Sequence, residues 1–422
     1  MGALMIATAE RKLGRALAIG IATAILAAVV PSQRAWSSEA VPGATVDELL
    51  ALVRNFNPDL AAAALEAEEA TAKIVPAGAL DDPMVNLSRD QGFRQTLFSI
   101  SQDFPLWGKR ELRKDVATAN AQAARLRENT VATELEERVK VAFAQYYEAA
   151  HAIGVTQDIH ELLRAVSGTA RERYGRGLAN QSDAIRAELD RTRLELQLSM
   201  LEQAEQTSKA KINALIARRA DAALAPPMVL RKMPPAASLA LGELIARARD
   251  SNPMLATSRA EIAAAEGERK LVGKSWYPDV TVSVGGDDLP GQSPRPMVGV
   301  GIKIPFQWGV REAQAHGATA KKGAAQLRLD GALIQIESEL KAALATLYRA
   351  SQTEDLIKTT LTPQSEAAYR SALSSYQLGR GDLTPILEAV RQQLDIRLEL
   401  LRVETDAQTA FAAIERLAGG SL

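Results

Sequence analysis

Four short patterns recur in the same order along the chain, and this duplication limits the possible fold more than any other feature. Asn57-Pro58-Asp59-Leu60 returns as Asn252-Pro253-Met254-Leu255, and Asp82-Pro83-Met84-Val85 returns as Tyr277-Pro278-Asp279-Val280. Phe104-Pro105-Leu106-Trp107-Gly108 returns as Ile304-Pro305-Phe306-Gln307-Trp308-Gly309, and Tyr174-Gly175-Arg176-Gly177 as Tyr376-Gln377-Leu378-Gly379. The offset between partners grows only from 195 to 202 residues. A nearly constant offset over four ordered matches marks two copies of one unit.

Each copy has the same internal order. A helix comes first, from about Val46 to Val75 and from about Leu239 to Val272, with apolar residues at helical spacing. Asn57-Pro58 and Asn252-Pro253 interrupt or restart it, because proline removes a helix donor and constrains its predecessor. The pattern then changes to period two. Phe98, Ile100, Gln102 and Phe104 alternate with Leu97, Ser99, Ser101 and Asp103. Val280, Val282 and Val284 alternate with Thr281 and Ser283, and Val298, Val300, Ile302 and Ile304 with Gly299, Gly301 and Lys303. Such alternation predicts strands with one apolar face. The segment from Asp287 to Pro296 holds three prolines and a glycine and reads as a loop.

A long helical stretch follows in each copy, Lys109 to about Tyr174 and Arg311 to about Tyr376. Roughly 66 residues at 1.5 Å each reach about 100 Å. Leu112, Val116, Ala119, Ala123, Leu126 and Thr130 form a seam of four-three spacing. Ala313, Gly317, Ala320, Ala324, Leu327 and Gly331 form its counterpart. A glycine-containing turn ends each stretch, and a second helix returns over about Ser182–Arg218 and Leu383–Ala418.

The N-terminus supplies an address. Arg11, Lys12 and Arg15 precede an apolar run from Ala16 to Val30, and Ala35-Trp36-Ser37 ends it. This reads as a cleaved signal peptide, since about 15 apolar residues fall short of the roughly 20 that span a bilayer. The expected organisation is a signal peptide over 1–37, a first repeat over 38–219, a Pro-rich linker over 220–238, a second repeat over 239–418 and a tail over 419–422. The chain has no cysteine, which excludes disulfides and a Cys-anchored lipid. Lys+Arg (50) and Asp+Glu (51) nearly cancel, so no charge draws the chain to nucleic acid. Aromatic residues make up 4% of the chain, which suits closely packed helices better than a bulky sandwich core.

An exported chain without a later apolar helix can enter a membrane only as strands. Open sheet edges cannot face lipid, and four strands cannot close around a lumen, whereas bacterial barrels begin at about eight. The strand count therefore calls for an oligomer. No Ser/His/Asp ordering, phosphate loop or metal-ligand cluster points to an enzyme, and no cofactor is implied. His151 and His160 lie nine residues apart, too far for an i,i+4 pair. A periplasmic coiled-coil scaffold would explain the helices but not the paired hairpins.

These residues resemble the TolC-like outer-membrane efflux proteins over nearly the whole mature chain. The resemblance rests on the Asn-Pro helices, the Tyr-x-x-Gly turns and the strand exit Ser101-Gln102-Asp103-Phe104-Pro105-Leu106-Trp107-Gly108-Lys109-Arg110. Asp82-Pro83-Met84 with Gln102-x-Phe-Pro-x-x-Gly-Lys-Arg looks most like the branch serving heavy-metal resistance pumps, the CzcC and CusC type. The resemblance implies a mainly α protein with membrane β: a homotrimer closing a 12-strand outer-membrane β-barrel, four strands per subunit, continued by a periplasmic helical coiled-coil barrel. It implies a periplasmic adaptor and an inner-membrane RND-type pump as partners and outer-membrane lipid as surroundings. Heavy-metal cations are the expected cargo; drug efflux or type I protein secretion is the alternative.

The resemblance also assigns working parts. Gly177, Leu178, Ala179, Gly379, Arg380 and Gly381 become the periplasmic tip that meets the adaptor. A gate contact maps onto Asp183 and Tyr376. The family's gate arginine falls on Gly381, a departure that adjacent Arg380 could offset. One of two carboxylate positions at the constriction falls on Pro385, and the other on Glu388, where three copies would favour cations. Trp107 and Trp308 are expected at the membrane interface.

Overall fold

Asparagine sets both starts of the fold. Helix α1 (Val46–Phe56) stops at Asn57, and α2 (Pro58–Ala72) begins one residue later. Asn57 is held extended by the following proline. Its Oδ1 accepts from the amides of Asp59 (2.8 Å) and Leu60 (3.2 Å), an N-cap with proline in the first turn. Asn57 Nδ2 donates to Leu215 O at 2.8 Å, tying the cap to the end of a distant helix.

The computed structural model describes residues 41–90, 95–177, 180–288, 293 and 295–422. The expected signal peptide lies outside them, as do Leu178 and Ala179 of the first tip. After α2 come a short α3 (Ile74–Gly78), strands β1 (Met84–Asp90) and β2 (Gln95–Phe104), the 67-residue α4 (Lys109–Gly175) and α5 (Gln181–Leu215). The second copy repeats the order with α6 (Leu241–Ser251), α7 (Pro253–Lys274), β3 (Asp279–Asp288), β4 (Arg295–Lys303), α8 (Trp308–Leu356), α9 (Thr362–Gln377) and α10 (Thr384–Ala418). Asn252 repeats the work of Asn57: Oδ1 accepts from Met254 N (2.9 Å) and Leu255 N (3.2 Å), and Nδ2 donates to Leu417 O (2.9 Å). Among the described residues no helix is long and apolar enough to cross a membrane.

Two buried clusters mirror the duplication. One joins α1 to α4 and α5 through Leu49, Val53, Leu135, Phe143 and Ile212. The other joins α6 and α7 to α8 and α10 through Leu244, Leu255, Leu340, Phe411 and Ile414. A third cluster lies toward the helical tip and fuses the copies: Ile159, Leu163 and Leu194 pack with Tyr376, Leu383 and Ile386.

Three features depart from the sequence expectation. The second long helix is not continuous, because a π-helical turn, Ile357–Leu361, separates α8 from α9. Pro363 lacks the N–H that the Thr359 carbonyl needs, so the ladder slips there; copy one has Glu161 at the corresponding offset and runs unbroken. The second hairpin's strands extend into the expected loop at both ends, and Pro296 is the second residue of β4, close to the strand start where proline is tolerated. Finally, the copy-two seam from Ala313 to Gly331 is exposed at all six positions, whereas its copy-one counterpart is half-buried or buried. Helix α4 packs against both α2 and α7; α8 packs against α6, α7 and α10, which leave that stripe uncovered among the described residues.

Candidate functional site

The four strands form one antiparallel sheet in the order β1-β2-β3-β4, so β2 of the first copy pairs with β3 of the second. Register aligns the apolar residues into rows across the sheet. Val85, Ile100, Val284 and Val298 make one row, Gln102, Val282 and Val300 the next, and Phe104, Val280 and Ile302 the third. Paired residues in neighbouring antiparallel strands share a face, and this face is bare: Val85, Val298 and Val300 are 69%, 76% and 69% exposed. The opposite face carries Asn86, Ser99, Ser101, Asp103, Thr281, Ser283, Gly299 and Gly301, with Met84, Leu97 and Met297 among them. The ten residues of β2 span about 34 Å, which at a tilt of ~40° rises about 25 Å, the height of a lipid-facing band. Among the described residues β1 and β4 each pair on one side, leaving two open edges.

The strand ends are locked to the helices by one buried lysine. Lys109, 7% exposed, donates from Nζ to Tyr277 O (2.8 Å) and to Asp279 Oδ1 (2.7 Å), which also accepts from Leu106 N at 3.3 Å. Trp107 and Gly108 both take positive φ, 63° and 74°, to turn the chain from β2 into α4. That conformation is costly for tryptophan. It is held by Trp107 Nε1 donating to Pro278 O at 3.0 Å and by the Tyr277 ring 5.2 Å away. In copy two, Trp308 instead opens α8 and packs 5.7 Å from Trp276. Trp107, Trp276, Tyr277, Phe306 and Trp308 are all substantially exposed and form an aromatic belt at one end of the sheet. The sequence pattern singles out Trp107 and Trp308; Tyr277 and Phe306 enter it only as repeat markers, and Trp276 not at all.

At the other end of the helices, Gly177 (φ 73°) and Gly379 (φ 72°) turn the chain, their amides bonded to Tyr174 O and Tyr376 O. Gly177, Arg380 and Gly381 are exposed, and the Arg380 amide donates to Ser375 O at 3.0 Å. Tyr376 is buried with its Oη unpartnered among the described residues. Asp183 is near enough to act electrostatically on that phenol, but no hydrogen bond joins the two within the protomer. The ion pair that does join the coils is Arg391 with Asp190, at 2.6 Å to Oδ2, where Asp190 is 3% exposed. Arg186 adds a 3.0 Å bond to Thr384 Oγ1. Neither pairing is visible in the sequence, since the partners lie about 200 residues apart. Glu388 projects from the exposed face of α10.

The chain thus combines exposed apolar strands, an aromatic belt and long helices that end in glycine turns. The family model described as outer membrane efflux protein matches residues 49–218 and 244–420, once per copy. The chain belongs to the outer membrane efflux protein family. It is 23% identical over 419 residues to the cobalt-zinc-cadmium resistance protein CzcC of Cupriavidus metallidurans, covering 96% of this chain and 99% of that one. It is 26% identical over 435 residues to the pyoverdine export outer membrane protein OpmQ of Pseudomonas putida, covering 94% and 90%. The fold matches the solved structure of CusC with a TM-score of 0.78 at 16% identity, covering 93% and 97% of the chains.

The histidines take local roles. His151 stacks on Tyr147 with ring centroids 3.8 Å apart, and His160 Nε2 lies 3.6 Å from Glu195. Among the described residues no group of three or more His, Cys, Asp or Glu is placed to hold a metal ion.

Proposed function

We propose that this chain is the exit duct of a tripartite efflux system, in which three copies close a 12-strand barrel and a periplasmic helical tunnel. The observation that carries the reading is the four-stranded sheet with a bare apolar face and two open edges. In lipid, unpaired strand edges must be closed, and β4 of one copy against β1 of the next closes them. The exposed seam from Ala313 to Gly331 on α8 supports the same arrangement, because Ala61, Leu65 and Ala72 on α2, with Val75 on α3, form a matching exposed stripe. One stripe of each copy then meets the other stripe of its neighbour.

The tip at Gly177–Ala179 and Gly379–Gly381 is the surface offered to a periplasmic adaptor, with an RND-type pump beneath. Asp183, Tyr376, Arg380 and Glu388 are its gate candidates, and Trp107 and Trp308 its anchors at the membrane interface. A cleaved N-terminal signal delivers the chain. Heavy-metal cations are the cargo favoured by the likeness to CzcC, and a ring of three Glu388 side chains suits them. The likeness to OpmQ favours a second reading, an organic cargo.

Heat-modifiable mobility of a cross-linked trimer in the outer-membrane fraction tests the duct; a soluble monomer overturns it. A deletion strain with unchanged tolerance to zinc, cobalt and cadmium but raised sensitivity to organic compounds would replace the metal reading with the second one.

A further inference from the structure

A cavity of about 620 Å³ opens between the first turns of α4 and α8 and the last turn of α7. Its charged lining is nearly of one sign. Lys109, Arg113, Lys303 and Arg311 face a single carboxylate, Asp279. Lys109 already engages that carboxylate at 2.7 Å, which leaves three positive charges. Arg113 reaches Asp81 only at 3.9 Å, and among the described residues Lys303 and Arg311 have no ion-pair partner.

Two donors mark the chemistry of the cavity. Ser275 Oγ and Arg311 Nε are buried and find no partner among the described residues. Buried polar atoms are nearly always paired, and a guanidinium N–H is among the costliest to leave open. The carbonyls at the end of α7 do not serve them. Val272 O accepts from Ser275 N, Lys274 O from Tyr277 N, and Tyr277 O from Lys109 Nζ. Both long helices also start at this cavity, and neither Gly108 nor Gln307 supplies a side-chain cap, so first-turn amides add to the positive field.

We propose that this cavity holds a phosphate group, with Arg311 and Lys303 as its charge partners and Ser275 as a hydroxyl donor. Several acceptor oxygens on one compact anion meet donors arriving from three elements, and the arginine fork fits such an oxyanion. The apolar wall at Leu271, Ile304 and Phe306, beside the aromatic belt, suits the glycerol end of a phospholipid headgroup. A soluble phosphate ester in the duct presents the same group. The lipid source, unlike the phosphate site itself, rests on the barrel reading above.

The test uses full-length protein purified in detergent, with native mass spectrometry against added phosphatidylglycerol and calorimetry against inorganic phosphate. At least one probe binds at one site per protomer, and K303Q/R311Q weakens it by about tenfold or more. S275A weakens it less and serves where the double variant does not assemble. Phosphatidylglycerol binding that inorganic phosphate does not displace identifies a lipid site; displacement identifies a site for soluble phosphate. Failure of both probes to bind, or equal binding by parent and variants, overturns the proposal. Heat-modifiable mobility of the same samples reports the barrel independently, so a failed duct reading and a failed phosphate site are told apart.

Discussion

Arg173 lies over the ring of Tyr376, its guanidinium carbon 4.5 Å from the ring centroid, and its Nη1 donates to the Tyr376 carbonyl. A residue of the first copy thus holds the tip of the second. The duplication is broken here on purpose of packing: Tyr174, the counterpart of Tyr376, is 46% exposed, whereas Tyr376 is 3% exposed. Burial raises the Tyr376 phenol above its ordinary range, Arg173 opposes that shift and Asp183 adds to it.

Two substitutions separate the ring from the hydroxyl. Tyr376→Phe removes an oxygen with no partner among the described residues and is expected to change stability by roughly 0.5 kcal/mol or less. Arg173→Ala removes both the cation over the ring and the bond to the carbonyl, and should cost about 1–2 kcal/mol. Hydrogen exchange over Arg370–Pro385 reads the difference locally. Faster exchange in the phenylalanine variant than in the alanine variant would mean that the hydroxyl finds a partner on another copy.

The two asparagine caps should respond alike. Asn57→Asp and Asn252→Asp keep the oxygen that caps α2 and α7 but replace the Nδ2 donor with a charged oxygen facing Leu215 O or Leu417 O. Each is expected to cost about 1–3 kcal/mol, more than a cap alone is worth. Alanine loses the cap as well. Denaturant midpoints of the four single variants check this, and a harmless aspartate at either site would show that the helix-end tie carries little.

How much was readable follows from distance along the chain. Asn57-Pro58 stops one helix and starts another through neighbours alone, so the break was legible, as was the alternation of Phe98, Ile100 and Phe104. The π-helical turn was also local, written in Thr362-Pro363, yet hidden by a helical pattern that continues on both sides. The exposed Ala313–Gly331 seam could not be foreseen, because spacing tells which residues form a stripe and not whether the chain supplies its partner. Lys109 with Asp279 and Asp190 with Arg391 join positions 170 and 201 residues apart. Only the folded chain brings such charges together.

Glu148 gives a pH dependence with a definite sign. Burial, chiefly, raises its carboxyl above the ordinary value, with Asp406 and Glu399 adding to the shift and Thr405 and Arg402 opposing it. A carboxyl that holds its proton more tightly when folded stabilises the fold at low pH. That contribution fades as pH rises from the unfolded value through the raised one. Glu148→Gln removes the titration, so its thermal midpoint should gain on the parent as pH rises above the ordinary carboxylate range near pH 4. A gap that narrows toward high pH contradicts this.

The heaviest single loss is expected at Glu415. This carboxylate, 3% exposed, sits between Lys140 Nζ at 2.9 Å and the Arg231 guanidinium. It therefore joins α4 of the first copy, the Pro-rich linker and α10 of the second. The linker is fixed further by Arg231 lying 4.7 Å from the Phe411 ring centroid and by its carbonyl, which accepts from Gln408 Nε2 at 2.6 Å. Removing one partner of a buried ion pair leaves the other charge uncompensated, which costs roughly 3–5 kcal/mol. Glu415→Gln strands two cations at once, whereas Lys140→Met leaves Arg231 still paired with the acid. The glutamine variant should therefore unfold at clearly lower denaturant than the methionine variant, and Lys140→Met combined with Glu415→Gln should recover part of the loss. Equal midpoints for the two single variants would show that water reaches the cluster and screens it.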